Sequence, residues 1–126
     1  MAGADDIVDE RKGHRARLRK RLFEGGGEAL LDHELIEYLL AVAIPRADTK
    51  ALAKALMREF GGIGGVLTAD PAALARVDGM GEISTAVIKI AHAAALRLLQ
   101  ARVGERHQFA VHHDGGGLPH GFWNRS

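Results

Sequence analysis

The stretch Asp78-Gly79-Met80-Gly81-Glu82 constrains this chain more than any other, because helical patterns meet it from both sides. Before it, Pro71 to Val77 reads as two turns of helix, with proline at an early position where its missing N–H costs nothing. After it, Ile83, Val87, Ile90, Ala91, Ala94 and Leu98 recur at three- and four-residue spacing, which predicts a long helix from Glu82 to about Arg102. Two glycines around one apolar residue allow a tight turn with positive φ. Met80 is then expected to point into the core, and the N–H groups of Gly81 and its successors to face outward. A helix start favours an anion, so Gly79, Met80, Gly81 and Glu82 form a candidate phosphate site. A plain turn between two helices accounts for the same residues.

The runs upstream are helical as well. From Arg11 to Arg21 there are seven cations and no acid, with Leu18, Leu22 and Phe23 as a thin apolar stripe, and Gly25-Gly26-Gly27 ends the run. Arg15, Arg17 and Arg19 are candidate phosphate contacts, which would weaken with salt as counterions are released. A solvated basic face is the competing reading. Asp32 is the expected cap of the next helix, whose buried face is Leu35, Ile36, Leu39, Leu40 and Ala43, with Tyr38 at the rim. His33 and Glu37 read as a surface pair, since two ligands make no metal site. Ile44-Pro45-Arg46-Ala47 is a break, and Asp48 caps a helix from Thr49 to Phe60 with Leu52, Ala55, Leu56 and Phe60 inward. Arg46 is at most a weak phosphate contact. The glycines from Gly61 to Gly65 follow no strand and precede no Lys-Ser/Thr, so they predict a helix stop and a short turn, not a nucleotide loop.

These 126 residues, 47% of them apolar, suit one helical core. The expected fold is all-α, a compact bundle of five to six short helices. Residues 1–10 read as a flexible leader, 11–103 as the folded domain and 104–126 as an irregular Gly- and His-rich tail. A net charge of +1 means that any attraction to nucleic acid rests on uneven charge distribution. There are no cysteines for disulfides, thiol catalysis or zinc ligation. No apolar run is long enough to span a membrane, and the expected location is the cytoplasm. No catalytic constellation, cofactor or structural metal is expected; His112, His113, Asp114 and His120 offer only weak chelation.

Four runs in order resemble the N-terminal helical domain of the RadC family, over Gly13 to about Val103. They are Gly13-His-Arg-Ala-Arg-Leu-Arg-Lys-Arg-Leu22, Asp32-His-Glu-Leu-Ile-Glu-Tyr-Leu-Leu40, Ala51-Leu-Ala-Lys-Ala-Leu56 with Phe60-Gly61, and Val77-Asp-Gly-Met-Gly81. Leu74, Val77 and Ile88 stand where a helix-hairpin-helix motif has its apolar residues. The resemblance implies a tandem helix-hairpin-helix arrangement with a degenerate first copy around Pro45. It also implies sequence-independent binding to the DNA phosphate backbone, possible only through contacts of the kind that position rather than specify, and a link to DNA repair. Arg76 and Lys89 would assist the hairpin amides. In that family the chain continues into a domain resembling a zinc metallopeptidase, whose Glu, His-x-His, Ser and Asp set is not matched by the tail. Asp78, Glu82, Ile83 and Thr85 depart from the pattern of good DNA-binding hairpins, and the two carboxylates would repel phosphate. The alternative is a helical protein-interaction module that docks a partner or a catalytic domain.

Overall fold

The computed structural model describes the backbone of residues 4–111 and the side chains of residues 10–105. Among the described residues six α-helices follow one another: α1 (Ala4–Gly25), α2 (Asp32–Ala43), α3 (Thr49–Phe60), α4 (Ile63–Thr68), α5 (Pro71–Ala75) and α6 (Glu82–Val111). A single 3₁₀ turn, Gly27–Ala29, links α1 to α2, and no strand occurs among the described residues. The all-α expectation holds. The backbone divides into two units, Met1–His92 and Ala93–Ser126, with α6 running through the boundary.

The helix ends differ from the sequence reading in two places. α1 begins at Ala4, so most of the expected leader is helical. α6 continues to Val111 rather than ending near Val103. Gly104 within it costs only about 1 kcal/mol relative to alanine, too little to stop a helix alone. Residues 112–126, with His112, His113, Asp114 and His120, lie outside the described residues.

The core of the first unit is built from one stripe of each helix after α1. Ile36 and Leu40 of α2, Leu52, Ala53 and Leu56 of α3, Val66, Leu74 and Ile88 are all buried together. Ile63, Leu67, Val77 and Met80 pack around them. The glycine run between α3 and α4 is a helix stop, as expected. Gly61 takes the left-handed conformation at φ 78° and donates to the Met57 carbonyl at 3.0 Å. The segment after it is a helix, α4, where a turn was expected. Gly65 lets α4 fold back against α3: a Cβ there would sit 1.7 Å from the Phe60 carbonyl oxygen.

α1 is held by one buried leucine and a row of arginines. Leu18 is buried, while Arg11, Arg15 and Arg19, four residues apart, all reach the α2 side of the molecule. Arg11 donates to the Arg46 carbonyl, and Arg15 to the carbonyls of Pro45 at 2.5 Å and Ala47 at 3.4 Å. Arg19 donates to the Tyr38 hydroxyl at 3.0 Å. Arg21 forms a two-pronged bond to Glu34, at 2.8 and 2.9 Å, and a third to the Ala29 carbonyl. Much of the stripe read as solvated or phosphate-binding is therefore committed within the fold.

Glu34 also corrects the expected cap of α2. Leu31, not Asp32, occupies the N-cap, and its side chain can accept nothing; the Glu34 carboxylate instead accepts from the Leu31 N–H at 2.8 Å. The Arg21 guanidinium, helped by that N–H, lowers the Glu34 pKa from 4.5 to about 2. A carboxylate with a depressed folded-state pKa stabilises above its unfolded value and loses that contribution as pH falls through the folded one. Acid titration is therefore expected to remove about 1–2 kcal/mol between pH 4.5 and 2, a range discounted because Arg21 is half-exposed. Glu34→Gln should show a smaller loss over the same interval in denaturant unfolding.

Candidate functional site

The turn joining α5 to α6 is the natural place to look, since its geometry decides which amides are free. Met80 N–H donates to the Val77 carbonyl at 3.0 Å, closing a four-residue turn. Gly79 stands third in it at φ 95°, the position that requires positive φ in a type II turn. Met80 packs against the core, as its place in the sequence suggests. Gly81 differs from expectation. Its φ is not positive, and a Cβ there would meet nothing within 4 Å. Its N–H is taken by the Ser84 hydroxyl at 2.8 Å, and that hydroxyl returns a bond of 3.2 Å to the Gly81 carbonyl. Ser84 is buried, so the amide expected to face a phosphate instead serves as a helix cap. Gly79→Ala is accordingly expected to cost about 1–2 kcal/mol from strain at positive φ. Gly81→Ala should cost under about 1 kcal/mol, a contrast measurable by urea unfolding.

The other candidate residues fall into two groups. Lys89 is part-buried and donates to the carbonyls of Leu67 at 2.8 Å and Ala69 at 2.9 Å, tying α6 to the end of α4. Those bonds hold its ammonium in place. Arg15 and Arg19 are committed as described above. Arg17, Arg46, Arg76 and Glu82 are exposed. Arg76 lines a groove with Arg58, Glu59 and Asp78, a neighbourhood that only the packing of α3 against α5 creates. Beside the hairpin itself, a second groove is lined by Asp48 and Asp78 together with Ala47, Ala51, Leu52, Ala55 and Gly79. Two carboxylates at this spot, with Glu82 one residue past Gly81, make the surroundings of the turn acidic.

A polar cleft of about 460 Å³ between α1 and the start of α3 shares Ala47 and Asp48 with that groove. His14, Arg15, Arg17, Glu37, Thr49 and Lys50 are among its walls. Glu37 is 2% exposed, and its Oε1 lies 2.8 Å from His14 Nε2. The approach is at ion-pair distance without the alignment of a hydrogen bond, and Oε2 has no partner. Glu37 thus pairs with His14, 23 residues away, and not with His33 as the four-residue spacing suggested. Among the described residues, no three His, Asp or Glu side chains are arranged to hold a metal ion.

On the outer side of α6, Ile83 and Ile90 are 69% and 70% exposed. They lie seven residues apart, two helical turns, with exposed Ala86 on the same face. In the second unit, Leu98, Leu99 and Val103 are likewise exposed. No helix among the described residues is long and apolar enough to cross a membrane.

Fold and surface together define a small all-α domain whose last helix leaves large apolar side chains uncovered. The chain belongs to the UPF0758 N-terminal family, whose pattern matches residues 12–86. It is similar to a UPF0758 protein of Rhodobacter capsulatus, 48% identical over 89 residues that cover 71% of this chain and 42% of that one. A UPF0758 protein of Ruegeria pomeroyi is 47% identical over 93 residues, covering 74% and 42% respectively. The chain thus spans about two-fifths of the length of these relatives. No solved structure matches.

Proposed function

We propose that this chain is a docking module whose last helix binds a folded protein domain. The observation that carries the reading is the exposure of Ile83 and Ile90 on one face of α6, directly after the hairpin. Large apolar side chains aligned on a helix favour a protein surface as their cover. The occupant is a domain of the kind that makes up the rest of the relatives' length. They extend well beyond the matched region, and the matched family is named for an N-terminal position. The RadC-like reading of the sequence agrees, since in that family a metallopeptidase-like domain follows. The test mixes this chain with the non-matching remainder of the Rhodobacter capsulatus relative, expressed separately, in isothermal titration calorimetry. Binding is expected, and Ile83→Asp with Ile90→Asp should weaken it at least about tenfold, since charges replace buried apolar groups. Both positions are exposed, so helix content should not change. A double variant that binds like the parent would remove α6 from the interface.

A second reading, sequence-independent DNA-backbone binding by a helix-hairpin-helix with a role in DNA repair, keeps one supporting feature. The first-turn amides of Glu82 and Ile83 have no intrahelical partner, and Arg76 and Arg58 line a nearby groove. The acidic groove and the capped Gly81 amide weigh against it. A salt titration with duplex, single-stranded and branched DNA separates the readings. Backbone binding would weaken steeply with salt, and Glu82→Lys would steepen the log–log slope by about one unit.

A further inference from the structure

An apolar groove of about 250 Å³ opens between α1 and α2. Leu18 and Leu30, both buried, form part of its walls, and Leu22, Leu35, Leu39 and Tyr38 complete them at half burial. Its polar edge is Arg19. That guanidinium gives one hydrogen bond to the Tyr38 hydroxyl and stands 6.0 Å from the centre of the Tyr38 ring. The contact fixes the head group at the mouth of the groove while leaving further N–H donors for a ligand. Lys20 and Arg17, its exposed neighbours in sequence, add positive charge on α1.

We propose that this groove takes a bulky apolar side chain of an acidic peptide segment, with Arg19 receiving a carboxylate next to that side chain. The apolar walls supply the area to be buried, and the fixed guanidinium selects the sign of the flanking charge. Charge complementarity decides the occupant: an arginine held by its tyrosine offers a fork to a carboxylate and repels a basic segment. This surface lies on α1 and α2 and does not depend on the α6 face.

The experiment titrates the ¹⁵N-labelled full chain with the blocked pentapeptide acetyl-Glu-Asp-Trp-Asp-Glu-amide, following amide shifts by NMR. Two control peptides replace the acids by their amides, or Trp by Ala. Shifts are expected at Leu22, Leu35, Tyr38 and Leu39, with the amide peptide binding about five- to tenfold more weakly and the Ala peptide not at all. Arg19→Gln should reduce binding of the acidic peptide to the level of its amide control, and Leu35→Lys should abolish it. Unchanged helix content by circular dichroism confirms that both variants fold. Equal binding of acidic and amide peptides, shifts mapping elsewhere, or no binding at millimolar peptide would each overturn the proposal. Sedimentation showing self-association that Leu35→Lys abolishes would do so too, by making a second copy the occupant.

Discussion

His14→Leu is expected to destabilise the protein by about 2–4 kcal/mol, because it strands the Glu37 carboxyl in the interior. Glu37 is 2% exposed, its Oε1 faces His14 Nε2 at 2.8 Å, and its Oε2 has no hydrogen bond. Removing the one partner of a buried carboxyl leaves the whole desolvation penalty uncompensated. In a domain of this size the loss corresponds to a drop of about 4–8 °C in Tm per kcal/mol. Combining it with Glu37→Leu should restore most of the stability, since two apolar groups of fitting shape remove the penalty together. The double-mutant cycle measures the coupling directly. Equal, additive losses from both single changes would mean that the two side chains act only as packing.

Leu56→Ala carries the other large effect, an expected 2–5 kcal/mol. Leu56 is fully buried among Ile36, Leu40, Val66 and Leu74, so truncation removes transfer free energy and leaves a cavity. Three different helices, α2, α4 and α5, supply these neighbours, which limits how far they can collapse into the space. Chemical denaturation should show the lower midpoint with an unchanged slope. By contrast, truncating exposed Val42 on α2 should change stability by less than about 0.5 kcal/mol.

Most of the helices could be read from the sequence because their signals are local. Apolar spacing marked α2, α3 and the first half of α6, Asp48 capped α3 by accepting from the Ala51 N–H, and Gly61 ended it in the left-handed conformation. The same spacing places Ile36, Leu40, Leu52 and Leu56 inward, and the helix-hairpin-helix resemblance does so for Leu74 and Ile88. On α6 the spaced residues Ile83 and Ile90 are exposed instead, because Ile88 is the residue that faces the core. The candidate site was less legible. Composition made Arg15, Arg19 and Lys89 available cations, but only their surroundings determined that they would satisfy carbonyls and a tyrosine hydroxyl. The motif points the Gly81 amide outward, whereas a buried serine three residues on captures it.

The amino-acid sequence by itself determined that this protein is helical, where most of its helices turn, and which faces seek burial, because spacing, caps and glycines act over a few residues. Tertiary structure alone decided which polar groups are spent on the fold and which remain outside. Arg11 meets the Arg46 carbonyl and His14 meets Glu37 across separations of 35 and 23 residues. Such pairings depend on how α1 lies against α2, a packing geometry that no local pattern of side chains encodes.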